Sequence, residues 1–326
     1  MIFALDAFAA FIARLRTLLG APSLTALAAS DRIYESSQHV VRLFYFLLPF
    51  LVFGFANNSP NRLNFEPWWA NAWIEWIGLE FSDAFNIMRA ACITLAIAGV
   101  FIHRYRAGRI LICMMLWQIH AFESSFGSIN HQWYPWLYVS FAFIFLPGFR
   151  HTESVEYRRQ FLLYLWTGQA IVAGVYSLAG LHKLVYAYLQ AQEGLIHAFH
   201  PWGFSYQVAD WIPKLQQEAI LSSFVVEHPF VVAPFYMVFV VIQFFSWWIM
   251  VRPSLQQAWA CVFILFHMGT RFTMGIEFPQ WMILVTILFL PSPFVNSASI
   301  RELWEDLPTT VFSRALLNRP RTAPKQ

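Results

Sequence analysis

The sequence predicts an all-α fold, a polytopic integral membrane bundle of about eight transmembrane helices with both termini in the cytoplasm. Three observations carry this expectation. Hydrophobic residues make up 58% of the 326-residue chain and mean hydropathy is +0.50. Charged residues are only 12%, about half the roughly 25% usual in a soluble domain. Apolar stretches long enough to cross a hydrocarbon core of about 30 Å recur from end to end.

The elements follow in order. Residues 1–35 form an amphipathic interfacial segment in which Phe3, Leu5, Phe8, Phe11, Ile12 and Leu15 repeat at helical spacing around Asp6, Arg14 and Arg16. Residues 36–295 form the transmembrane domain, with spans near 40–56, 84–103, 109–125, 131–148, 161–182, 229–251, 254–273 and 276–292. Residues 296–326 are expected as a cytoplasmic tail. The first outer loop carries "EPWWANAWIEW", Glu66 to Trp76, read as an aromatic anchor at the interface. A long outer segment, 183–228, carries Trp202, Trp211, three histidines and two prolines.

The charges fit this layout. With the N-terminus inside, sixteen of the 21 basic residues fall on cytoplasmic segments. Arg62, Lys183, Lys214 and Arg271 fall outside, and Arg89 lies within the second span. That is a positive-inside distribution, and an odd number of spans would break it. The expected setting is a bacterial inner membrane, with the lipid bilayer as the main partner. The sequence has no glycine-rich phosphate loop and no long basic run, so nucleic acid is not an expected partner. Cys92, Cys113 and Cys261 form no CxxC pair and read as small buried apolar residues.

Three stretches can carry chemistry. "SLAGLHKLVYAYL", Ser177 to Leu189, holds Lys183, one of three lysines against eighteen arginines. Lys183 either snorkels to the headgroups or acts as a general base, because a low dielectric disfavours an ammonium and arginine cannot give up its charge. Ala173, Gly174, Ser177 and Gly180 are small residues that let another helix approach this one.

"SINHQWYPWLY", Ser128 to Tyr138, places Asn130 and His131 on the same outer side. They are either a helix cap with an interfacial histidine or a hydrogen-bonding pair for a carbonyl or oxyanion. "FHMGTRFTMGIEFPQWMI", Phe266 to Ile283, holds His267, Arg271 and Glu277 as substrate- or cofactor-binding candidates. Here His267 could equally be a satisfied core histidine, and Arg271 and Glu277 could simply pair with each other. His197 and His200 are a weaker pair of metal-ligand candidates, and no metal site is expected. Arg89 and Glu123 lie in or at the edge of spans and should each have a partner in the bundle.

Together the three stretches resemble a family signature in the right order. "NHQWYPWLY" resembles the Asn-His-x-x-Tyr segment of the vitamin K-dependent gamma-glutamyl carboxylases. "AGLHKL" resembles their Ala-Gly-x-x-Lys-Leu segment, and "FHMGTRFTMGIEFPQWMI" followed by "SPF" resembles their Phe-His to Ser-Pro segment. The wider group is called the horizontally transferred transmembrane (HTTM) domain proteins, and the resemblance covers roughly residues 30–295.

The resemblance implies that Lys183 deprotonates a reduced, vitamin K-like quinone, while His131, helped by Asn130, hydrogen-bonds the quinone oxygen. It further implies that oxygen adds to the quinone and that the strong base so formed abstracts a glutamate γ-proton before CO₂ adds. The sequence departs from the carboxylases in carrying only about thirty residues after Phe294, where they continue into a large lumenal domain, and in carrying His182 beside Lys183. A different peptide or protein substrate, or a non-catalytic role as a membrane subunit or peptide-maturation factor, is therefore the competing expectation. A transporter would need an internal repeat or paired half-helices, and neither is evident in the sequence.

Overall fold

A computed structural model of the protein describes residues 23–57, 71–78, 80–125, 132–149, 154–215, 218–295 and 299–317. Among the described residues the fold is all-helical, with no strand. Ser23 caps the short α1 (Leu24–Ala28) by accepting from the Ala26 N–H at 3.2 Å. The chain continues through α2 (Asp31–Asn57), α3 (Ala72–Trp76), α4 (Phe81–Ile102), α5 (Arg106–Ser124) and α6 (Tyr134–Phe143). It then forms α7 (Val155–Gln192), α8 (Gly203–Leu215), α9 (Ser222–Glu227) and α10 (Pro229–Phe244). A 3-10 turn (Phe245–Trp247) joins α10 to α11 (Trp248–Val251), and a second (Pro253–Leu255) leads into α12 (Gln256–Met274). The last elements are α13 (Pro279–Phe289), α14 (Ile300–Glu305) and α15 (Pro308–Leu317).

Four helical stretches are long and apolar enough to cross a membrane: Asp31–Gly54, Ser82–Ile102, Val155–Gln192 and Pro229–Val251. Helices α5 and α12 have 19 residues each, whereas α6 has 10 and α13 has 11. At 1.5 Å per residue the last two are only about 15–17 Å long. The apolar stretches expected as spans 131–148 and 276–292 are therefore helical over only part of their length. Among the described residues of their remainders, Trp133, Leu146 and Ser292 are buried, whereas Glu277 and Pro291 are exposed.

The core is aromatic. Phe44 stacks on Trp136 at 4.7 Å and meets Phe143 edge-on at 5.1 Å, while Tyr34 meets Phe161 at 5.4 Å. Lipid tails are as apolar as these rings, so between membrane helices their value is in dispersion and fit rather than in escape from water. Polar groups add specific ties. Gln169, fully buried on α7, donates to the Leu288 carbonyl at 2.6 Å and to Ser292 at 3.1 Å, and Ser292 donates to Gln256. Such interhelical bonds contribute about 0.6 kcal/mol each on average. In the predicted aromatic anchor, Asn71 is buried and donates to Ser125 at 2.8 Å, while Trp76 is exposed. The segment is thus fastened at Asn71 and free at its tip.

Residues 183–228, expected as a loop, are largely helical. α7 runs ten residues past the expected end of its span, to Gln192. It stops at Gly194, whose φ of 70° is the left-handed conformation that glycine adopts without strain. Leu195 N–H bonds to Gln190 O at 2.9 Å and Gly194 N–H to Ala191 O at 3.2 Å, the paired bonds of a Schellman stop. The 38-residue helix is about 57 Å long, roughly twice the hydrocarbon thickness. α8 and α9 pack against each other and against α10 and α12. The expected tail also contains structure: Ser299 and Glu302 form a reciprocal capping box for α14. Arg252 pairs with Asp306 at 3.2 Å just beyond α14.

Candidate functional site

Lys183 lies 22 residues beyond Phe161, where the apolar part of α7 begins, or about 33 Å along the helix. That distance is close to the thickness of a hydrocarbon core, about 30 Å. The small residues before it have a direct structural use. A Cβ on Gly180 would stand 2.3 Å from the Phe244 backbone nitrogen, so only glycine allows α10 to approach α7 here. One turn earlier, Ser177 Oγ accepts from the Trp247 N–H at 2.8 Å. Gly174, also expected at the contact, has no neighbour there. The close approach brings Gln243, buried on α10, against Lys183, whose ammonium donates to Gln243 Oε1 at 2.6 Å. Lys183 Nζ also stands 5.4 Å above the Phe266 ring.

These residues line a cavity of about 860 Å³. Its walls come from α6, α7, α10 and α12, and its roof from Phe204, Trp211 and Phe224 on α8 and α9. The lining is mostly apolar and aromatic; besides His182 and the Tyr236–Gln207 bond at 3.1 Å, it holds two polar constellations that bear on chemistry. One is Lys183 with Gln243. The other is Tyr176 with His267, whose hydroxyl and Nε2 are 2.5 Å apart. The Tyr176 ring stacks on Phe263 at 3.9 Å and meets Trp281 edge-on at 5.1 Å, which fixes its orientation. His267 is 5% exposed, and its Nδ1 has no hydrogen-bond partner among the described residues. Phe235 and Leu265 line the cavity yet are exposed on the outside of α10 and α12, so the cavity is open to the bundle surface between those helices.

The structure brings Lys183 and His267 into one cavity, but Arg271 and Glu277 lie elsewhere. Those two pair with each other at 3.2 Å on the exterior, with most of each side chain exposed, and neither lines the cavity. One helical turn separates His267 from Arg271, yet Gly275, with φ 71°, ends α12 and turns Glu277 back toward Arg271 outside the cavity. Asn130 and His131 lie outside the described residues. Their neighbour Gln132 donates to the Glu277 carbonyl at 3.2 Å, and Tyr134 and Tyr138 on α6 line the cavity.

The remaining candidates have local roles. His197 and His200 each accept a backbone N–H on Nδ1, from Phe199 and Trp202 at 3.2 Å, and so shape the turn after α7. Arg89 and Glu123 each engage another residue. Cys92 and Cys113 are buried as expected, but Cys261 is exposed, because it faces outward from α12. Sequence reasoning missed Gln243 and Tyr176. The signal was present in Gln243, a carboxamide in the otherwise apolar run "VFVVIQFF", since polar residues inside membrane spans are costly and so tend to have a function.

Compared with protein-family models, curated proteins and solved structures, the chain matches none.

Proposed function

We propose that the protein is an integral membrane enzyme that binds a lipid-soluble quinone in the lysine cavity and uses Lys183 as its general base. The supporting observation is Lys183 itself. It stands on a helix long and apolar enough to cross a membrane, in a mostly aromatic cavity, and its polar partner is a neutral amide rather than a carboxylate. A volume of about 860 Å³ falls within the roughly 300–1,000 Å³ of small-molecule sites, which are mostly apolar with a few placed polar groups. The apolar walls suit a ring with an isoprenoid tail, and the opening between α10 and α12 suits a ligand arriving from the bilayer. The Tyr176–His267 pair in the cavity wall suits a ring oxygen.

In its neutral form the Lys183 amine accepts the proton of a bound quinol hydroxyl, with Gln243 holding the amine in place. The Tyr176–His267 pair orients the ring oxygen. Phe266 and Trp281 exclude water and keep the polar contacts strong. A reduced quinone bound here supplies the electrons for reaction with oxygen. The resemblance to the HTTM domain proteins and the vitamin K-dependent carboxylases supports the same reading. It adds Asn130 and His131 as oxygen-binding residues and carboxylation of a peptide as the second half of the reaction. The charge distribution supports eight membrane segments with cytoplasmic termini, and with them a cavity facing the non-cytoplasmic side of a bacterial inner membrane.

Quenching of tryptophan fluorescence by menaquinone tests the binding step. Wild-type protein in detergent is expected to bind saturably, and so is Lys183→Met. Ala179→Trp, which fills the cavity from an exposed position, is expected not to bind. Equal quenching of wild type and Ala179→Trp would remove the quinone from this cavity. Saturable binding by a purified partner protein together with no quinone binding would favour the non-catalytic maturation role.

A further inference from the structure

A second cavity, of about 670 Å³, lies at the opposite end of α7. It sits where α4 and α6 end and where α5 and α7 begin. Its lining includes Arg104, Arg106 and Arg109, together with Gln160 and Tyr164 from α7. Arg109 is 2% exposed. Its guanidinium donates to the carbonyls of His103 at 2.9 Å, Arg104 at 3.3 Å and Leu146. All three acceptors are neutral carbonyls, so its charge is met only by the partial negative charge of helix ends. Its Nε is buried with no hydrogen-bond partner among the described residues.

Arg104 and Arg106 are exposed and form no ion pair among the described residues. They lie against the Tyr105 and Phe145 rings at 5.0 and 5.6 Å. Among the described residues, Asp31 pairs with Arg158 and Glu156 with Arg159. The N-terminus of the 19-residue α5 opens here as well, and its N-cap residue Tyr105 makes no side-chain cap bond. Three arginines and an uncapped helix N-terminus thus meet in one cavity at the end of a stretch long and apolar enough to cross a membrane. Each of these features favours an anion.

We propose that this cavity seats the phosphate of an anionic phospholipid headgroup. The position selects the lipid over a free phosphate. The cavity lies at the end of the Ser82–Ile102 stretch, at headgroup level, and exposed apolar residues beside it, Phe101 and Ile110, face outward where acyl chains run. Arg104 and Arg106 close on the phosphate oxygens from outside. Arg109 gives a fixed positive floor.

Native mass spectrometry of the full chain in detergent tests this, with phosphatidylglycerol, phosphatidylcholine and inorganic phosphate as probes. Wild-type protein is expected to retain one phosphatidylglycerol saturably and phosphatidylcholine at least about tenfold more weakly. The double variant Arg104→Gln/Arg106→Gln is expected to lose at least about tenfold in phosphatidylglycerol binding, and Arg104→Lys/Arg106→Lys to regain most of it. Both positions are exposed, so the variants are expected to unfold at the wild-type temperature. Arg271→Gln, at the other end of the bundle, is expected to bind as wild type does. Equal retention of the two lipids, or unchanged binding by the glutamine variant, would overturn the proposal. Displacement of the lipid by equimolar inorganic phosphate would overturn the lipid assignment.

Discussion

The lysine cavity and the arginine cavity are served by the same helix. Lys183 lines one and Gln160 the other, 23 residues or about 35 Å apart along α7. At the Lys183 end, a close approach of two helices over Gly180 leaves a cation facing a neutral amide and an aromatic ring in a mostly apolar cavity. At the other end, arginines are clamped to backbone carbonyls or laid on rings beside an uncapped helix start. An ammonium can lose its proton and a guanidinium cannot. The first arrangement suits proton transfer and the second a fixed anion site. Residue choice and position, rather than the sum of charges, separate the two.

The sharpest way to break the comparison is to remove the proton acceptor. Lys183→Met is expected to lower quinol turnover by at least about 100-fold, the usual scale for a general base, while leaving menaquinone binding within a few-fold. Initial rates and fluorescence titration check both. The same change at Arg104 is expected to leave turnover unaltered, because that residue lies in the other cavity.

A second effect follows from the helix contact. Gly180→Ala forces a Cβ into the Phe244 backbone. Over-packing of this kind costs about 1–3 kcal/mol, so the unfolding temperature is expected to fall. Turnover is expected to fall as well, because Gln243 moves off Lys183. Gly174→Ala, with open space around it, is expected to do neither.

The turn after α4 gives a smaller, pH-dependent effect. His103 follows α4 and stacks on Tyr45 at 4.9 Å. Burial lowers its pKa below the ordinary 6.5. The charges of Arg42 and Arg109 push the same way, and backbone bonds to Gly99 and Val100 oppose. A group with a lowered folded pKa keeps its full stabilising share above the unfolded value and loses it as pH falls toward the folded one. Thermal unfolding temperature is therefore expected to fall as pH drops below 6.5, and to be flatter in His103→Gln.

The smallest effect is expected at the exposed Arg271–Glu277 pair. Arg271→Gln is expected to change stability by about 0–1 kcal/mol and quinone binding not at all.

Much of this was legible in the residues. The four long apolar helices, the scarce Lys183 and the small-residue notch before it could all be read from composition and spacing. The partner of Lys183 could not, because Gln243 lies 60 residues away and reaches it only through tertiary contact. The brevity of α6 and α13 was hidden for another reason. Hydropathy counts apolar residues and does not distinguish a helix from buried irregular chain. The roof of the lysine cavity was hidden by its own composition: α8 contains Pro213 and follows the His-Pro turn at 200–201, so the stretch reads as a loop. The pairing of Arg271 with Glu277 was foreseen as one of two readings, and Gly275 decides it by turning the chain outward.

The most direct test of Lys183 as a quinol base is product analysis. Purified wild-type protein is incubated with menaquinol, oxygen and bicarbonate, and the extracted quinone is examined by mass spectrometry. Quinone epoxide from wild type and none from Lys183→Met is the result we expect. No epoxide and no retained quinone from the wild type would contradict it and leave Lys183 as a structural cation at the membrane interface.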